Sequence, residues 1–80
     1  MRGVEEIKNE ILKEFDVFGI YTIVDTYVFL SERCKRAICN NTPCDKCLIH
    51  KLMERIRNMK RDERWRELFD ELFYVIKFNS

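Results

Sequence analysis

The chain has 80 residues, of which 46% are hydrophobic and 36% charged, and its 15 basic and 14 acidic side chains leave a formal net charge of +1. This composition excludes a disordered chain, and a chain of this length makes a single small domain, residues 1–80, with a thin stability margin. The least polar stretch, residues 17–30, is interrupted by polar side chains and is too short to span a membrane. Abundant but balanced charge is common in thermostable proteins.

The first predicted helix runs from Val4 to near Gly19, with apolar residues at helical spacing and charged residues on the other face. Its acidic start, Glu5 and Glu6, directly follows Met1 to Val4 and indicates no signal peptide, so a soluble cytoplasmic protein is expected. The side chains predicted to face inward are Val4, Ile7, Ile11, Leu12, Phe15 and Phe18.

The second element, Ile20 to Lys35, has strong strand propensity, and a hairpin through Asp25 is conceivable. Its period nevertheless favours a helix, because strict alternation fails at several positions. One face is polar except for Phe29. The other face carries Ile20, Ile23, Val24, Tyr27, Val28, Leu30 and Cys34.

A third helix is predicted to start with Thr42 as N-cap, Pro43 at the first helical position and Asp45 in the first turn. Its predicted inward residues are Leu48, Ile49, Leu52, Ile56 and Met59.

The fourth predicted helix begins near Asp62 and presents one apolar stripe. That stripe consists of Trp65, Leu68, Phe69, Leu72, Phe73 and Ile76. The sequence therefore predicts an all-α protein, a compact bundle of about four short helices with a cysteine cluster at the junction of helices two and three.

The cluster consists of Cys34, Cys39, Cys44 and Cys47 in the pattern C-x4-C-x4-C-x2-C, and the chain has no other cysteine. Cys34 is predicted at the end of helix two, Cys39 in the connection, and Cys44 with Cys47 in the first turn of helix three. Four thiolates suit a structural zinc ion, and a C-x2-C pair is the usual half of such a site.

Four other interpretations of the cluster stay open, one of which is that the cysteines are free thiols. Disulfides among the same cysteines would tie helices two and three together without metal, and an iron–sulfur cluster would use the same thiolates at an uncommon spacing. A dithiol redox protein would use Cys44 and Cys47 at a helix start. His50, three residues after Cys47, is a candidate replacement for one thiolate.

Positive charge is concentrated in residues 51–66, which hold seven basic and three acidic side chains. This segment is a candidate nucleic-acid contact through Arg55, Arg57, Lys60, Arg61 and Arg64. A solvated, salt-bridged surface explains the same residues and is favoured, because nucleic-acid modules are usually strongly basic overall.

No catalytic constellation is visible, and four thiolate ligands would leave a zinc ion no open position, so the sequence predicts no enzyme. The expected function is a small binding or regulatory module that docks on a larger protein as adaptor or inhibitor. Candidate docking residues, besides the cations of residues 51–66, are Phe29, Tyr74, Val75 and Phe78. Tyr74 and Phe78 lie off the main stripe of helix four and are also a candidate homodimer seam.

Overall fold

The computed structural model of the protein describes residues 2–36 and 46–78, in which four α-helices and no strand occur. They are α1 (Val4–Glu14), α2 (Ile20–Arg36), α3 (Leu48–Arg57) and α4 (Glu63–Phe78). The all-α prediction is confirmed, including a helix where the strand propensity of residues 20–35 was highest. None of these four helices combines the length and the apolar character that crossing a bilayer requires.

Helix α4 contacts all three other helices, and α2 also packs against α1 and α3. Tyr27 of α2 meets Phe69 of α4 edge-on with ring centroids 4.8 Å apart, and Phe15 meets Trp65 in the same way at 5.1 Å. The radius of gyration is 12.5 Å, near the roughly 12 Å of a compact domain of this length. The buried apolar residues are Ile7, Ile11, Phe15, Ile20, Val24, Tyr27, Leu30, Met53, Trp65, Leu68, Phe69, Leu72, Val75 and Ile76.

The prediction that the first helix continues to Gly19 is wrong. Helix α1 ends at Glu14, and Phe15 adopts an extended backbone while its ring stays buried. The chain then reverses through Gly19, whose φ is +74°, and the Ile20 N–H bonds the Val17 carbonyl at 3.0 Å. Helical spacing no longer applies past Glu14, so Phe18, predicted to be inward, is fully exposed.

The predicted inward stripe of the third helix is only partly correct. Ile49 and Ile56 pack against the core, but Leu48, Leu52 and Met59 are exposed. Met53, absent from the predicted stripe, is 4% exposed and takes the central inward position. Contacts with α4 determine which side of α3 faces inward. The Arg57 side chain donates hydrogen bonds to Asp70, and the Ile56 carbonyl accepts one from the Trp65 indole.

The described part of the third helix also starts later than predicted. Helix α3 begins at Leu48, and Cys47 is its N-cap in an extended conformation, so the placement of Cys47 within the first helical turn is wrong. The predicted cap residues Thr42, Pro43 and Asp45 lie outside the described residues.

The start of the fourth helix agrees with the prediction. The Asp62 carboxylate accepts a 2.8 Å hydrogen bond from the backbone N–H of Arg64, and α4 begins at Glu63. This carboxylate satisfies one of the free N–H groups of the first turn. The prediction of a start near Asp62 is confirmed.

Candidate functional site

Cys34 and Cys47 flank the connection between α2 and α3. Cys34 lies near the end of α2 and packs against the core, and Cys47 caps the start of α3; both side chains are half-buried. The other two predicted ligands, Cys39 and Cys44, lie outside the described residues. The described residues contain no group of three or more potential metal ligands, so a four-cysteine site depends on those two thiols as well.

Cys34 lies two residues before the last residue of α2, and Cys47 directly precedes α3. The two helices pack against each other. The two described cysteines therefore lie at the two ends of the α2–α3 connection, the place where the sequence predicts the cysteine cluster.

His50 lies in the first turn of α3, three residues after Cys47, and is half-buried. Positions three apart share one side of a helix start, so the imidazole lies within a turn of the Cys47 thiol. His50, Cys34 and Cys47 do not form a three-ligand group in the described part of the chain, so a ligand role for His50 stays a prediction that also needs Cys39 or Cys44.

Three of the predicted phosphate-binding cations, Arg57, Arg64 and Lys60, already make contacts within the molecule. Arg57 donates two hydrogen bonds to Asp70, at 2.7 and 3.2 Å, and this contact raises the pKa of the guanidinium. Arg64 pairs with Glu10 and with Glu14, the latter at 3.1 Å. These arginines behave as the salt-bridged surface that the sequence favours over a phosphate site.

The ammonium group of Lys60 lies 5.5 Å from the ring centroid of Phe15 and 5.8 Å from that of Trp65. This cation–π geometry holds the lysine against the core. Unlike Lys60, Arg55 and Arg61 are exposed. No carboxylate of the described residues lies within ion-pair distance of either arginine.

Tyr74 and Phe78 form an exposed pair on α4, here named the α4 aromatic pair. Their side chains are 51% and 62% exposed, and their ring centroids are 5.0 Å apart. Lys77 places its ammonium 5.8 Å from the Phe78 ring centroid. Val75, which the sequence grouped with them, is 6% exposed and belongs to the core, so that assignment is wrong.

Phe29 is 60% exposed beneath the guanidinium of Arg33, 5.7 Å from the ring centroid. It lies on α2, whereas the α4 aromatic pair lies on α4.

Leu48 and Leu52, taken from their spacing as core residues, are 70% and 37% exposed. They share the outward side of α3 with Lys51 and Arg55, which are also exposed. These two cations are the sequence signal that marks this side of the stripe as solvent-facing, because lysine and arginine are almost never fully buried.

Open grooves with charged linings lie along the helix surfaces. A groove of about 500 Å³ follows α1 and is lined by Arg2, Glu6, Asn9, Glu10, Lys13 and Glu14. Neither a cysteine nor a histidine lines it, so it offers no thiol or imidazole for catalysis.

The chain was compared with protein-family models, curated proteins and solved structures, and none of them matches it.

Proposed function

We propose that the protein is a non-enzymatic binding module that docks on a larger protein, as an adaptor or an inhibitor. The observation that carries the proposal is the α4 aromatic pair, Tyr74 and Phe78, which lies in contact on the surface of a helix whose opposite side is already packed. Tyrosine and other large aromatic side chains are enriched among the residues that dominate binding energy at protein interfaces.

The α4 aromatic pair is not needed to complete the core. Helix α4 buries Trp65, Leu68, Phe69, Leu72, Val75 and Ile76, all on the side that faces the other helices. Tyr74 and Phe78 project from the other side, where two large apolar rings gain little by staying in water. Their mutual contact and the nearby Lys77 restrict the rings before any partner arrives, which lowers the ordering cost of binding.

A staple at the α2–α3 junction fits this function. We propose that Cys34, Cys39, Cys44 and Cys47 hold a structural zinc ion. The hydrophobic core of a bundle this small contributes only a small net free energy of folding, and a bound metal would add to it. Disulfides among the same cysteines would give the same rigidity, and an iron–sulfur cluster is the third candidate. The alternative is a dithiol redox protein, in which Cys44 and Cys47 exchange electrons with a substrate instead of serving as structural ligands.

Nucleic-acid binding through residues 51–66 is the second candidate function. The ion pairs of Arg57 and Arg64 and the ring contacts of Lys60 weigh against it, since a phosphate would have to displace them. Retention on DNA or RNA that falls with salt and is lost in Arg57→Gln, Lys60→Gln and Arg61→Gln would favour it over protein docking.

The docking proposal is tested by affinity capture from an extract of the source cells, with the protein immobilised and the bound proteins quantified. One larger protein is expected to bind the native chain and to be retained at least about thirtyfold less by the Tyr74→Ala and Phe78→Ala variants. The matched control is Phe18→Ala, which removes a fully exposed ring from the connection between α1 and α2 and should leave capture unchanged.

Capture that is equal for all four proteins would contradict the proposal, and so would the absence of any specifically retained protein. Sedimentation of the native chain alone gives the state of self-association. A dimer that Tyr74→Ala dissociates would instead make the α4 aromatic pair a homodimer seam.

A further inference from the structure

The four residues Leu48, Lys51, Leu52 and Arg55 form one exposed side of α3, here named the α3 outer face. They follow the spacing i, i+3, i+4, i+7, which places them in one stripe along two turns of a helix. The opposite side of α3 is anchored, since Met53 is buried and Ile49 and Ile56 pack against the core. The α3 outer face thus has a fixed orientation and an apolar centre open to solvent.

We propose that the α3 outer face docks an acidic amphipathic helix of the partner protein. Apolar side chains of that helix would cover Leu48 and Leu52, and its carboxylates would pair with Lys51 and Arg55. The inference rests on the proposed docking function, because it names the kind of segment that the partner presents to α3.

Charge selects the acidic partner. Arg57 and Arg64 are matched by carboxylates within the molecule, but no carboxylate of the described residues lies within ion-pair distance of Lys51 or Arg55. The face itself carries no acidic side chain, so its two charges are uncompensated where they flank the leucines. A segment with carboxylates beside an apolar stripe matches both features, and complementary potentials of this kind favour one partner and speed its encounter.

The same charges disfavour a second copy of α3 as the occupant. In a two-fold antiparallel pair of α3 helices, the cations of one copy would oppose those of the other, and like charges across an interface are repulsive. The helical form of the occupant follows from the leucine spacing. Leu48 and Leu52 are one turn apart on a straight ridge, and an amphipathic helix presents its own apolar residues at the same interval.

The experiment uses the full chain and a designed probe, a fluorescent peptide of about 18 residues with a leucine stripe flanked by glutamates. A matched peptide carries lysine in place of every glutamate. In fluorescence anisotropy titrations the native chain is expected to bind the glutamate peptide about tenfold or more tightly than the lysine peptide. The double variant Lys51→Glu with Arg55→Glu should reverse this preference.

A matched charge control is the double variant Lys13→Glu with Arg33→Glu, which changes the net charge equally at exposed positions on α1 and α2. It should keep the native preference. Leu52→Ser should weaken binding of the glutamate peptide, while Tyr21→Ser, at an exposed residue of α2, should not. Helix content measured by circular dichroism confirms that each variant is folded.

Equal affinity of the native chain for both peptides overturns the inference, and so does a preference that both double variants reverse alike. Binding to mixed phosphatidylcholine and phosphatidylserine vesicles without binding to the glutamate peptide overturns it in favour of an anionic membrane surface. Failure here is distinguishable from failure of the docking function: capture that depends on Tyr74 and Phe78 but not on Lys51 and Arg55 leaves the docking function standing.

Discussion

The indole N–H of Trp65 donates a 3.0 Å hydrogen bond to the backbone carbonyl of Ile56. Trp65 is fully buried near the start of α4, and Ile56 lies in the last turn of α3, where carbonyl groups lack partners within the helix. The Ile56 carbonyl also accepts from the Met59 N–H at 3.2 Å. One side chain thus fills the core and fixes how α3 joins α4, the rotation on which the α3 outer face depends.

Substituting Trp65→Phe keeps an aromatic ring but removes the hydrogen bond and leaves a small void. We expect the free energy of unfolding to fall by about 2–3 kcal/mol, roughly 1 from the bond and the rest from lost packing. Urea unfolding followed by circular dichroism measures the change. The control Phe18→Ala alters a fully exposed ring and should stay within about 0.5 kcal/mol of the native chain. A Trp65→Phe variant as stable as this control would contradict the structural role given to the indole.

Gly19 joins α1 to α2 with a φ of +74°, a region that side chains with a Cβ rarely adopt. Nothing lies within 4 Å of a Cβ placed at Gly19, so strain alone determines the cost of a substitution. We expect Gly19→Ala to destabilise the protein by about 1–2 kcal/mol. The comparison is Gly3→Ser at the N-cap of α1, where no side chain accepts a hydrogen bond from the first helical turn. The serine hydroxyl can accept one and should stabilise the protein by about a few tenths of a kcal/mol. Thermal unfolding measures both variants. A neutral Gly19→Ala would mean that the turn tolerates another backbone conformation.

Helical period was enough to predict the four helices, because each carries an apolar stripe that must be buried. It did not predict where the chain leaves the helix. The end of α1 at Glu14 depends on the turn through Gly19, a glycine compatible with several turn positions. Phe15 and Phe18 both continue the helical spacing of the apolar residues of α1. Phe15 is nevertheless buried against Trp65, whereas Phe18 is exposed.

The rotation of α3 shows a second limit of the sequence. Its apolar residues are too many for one side, and periodicity alone does not say which of Leu52 and Met53 faces inward. Tertiary contacts from Arg57 to Asp70 and from Trp65 to Ile56 decide it, and neither pair is visible in a local pattern. The exposure of Tyr74 and Phe78, by contrast, was predictable, because both lie off the apolar stripe of their helix.

Tyr27 gives the protein a pH dependence at high pH. Burial raises the pKa of its hydroxyl above the ordinary value, and the Asp70 and Glu54 carboxylates raise it further. A pKa raised on folding gives stability that is complete below the unfolded pKa, about 10, and is lost as pH rises toward the folded value. Between pH 9 and 11 this group should cost about 1.4 kcal/mol of unfolding free energy. The Tyr27→Phe variant lacks the titration, so its stability should fall less over the same interval by that amount in urea unfolding. Parallel curves for both proteins would show that Tyr27 titrates normally in the fold.

Metal removal tests the proposed staple most directly. We expect one zinc per chain by elemental analysis and a denatured mass equal to that of the fully reduced polypeptide. A strong chelator should then lower the free energy of unfolding by about 5 kcal/mol or more, because metal binding to a structural site contributes directly to folding. Cys34→Ser and Cys47→Ser should each weaken zinc retention, and the chelator should change their stability less than that of the native chain. A mass lower by two or four hydrogens without metal would replace zinc by disulfides, and bound iron with visible absorption would replace it by an iron–sulfur cluster. In either case the α2–α3 junction would still be cross-linked. In the disulfide form, however, a chelator should leave the free energy of unfolding unchanged.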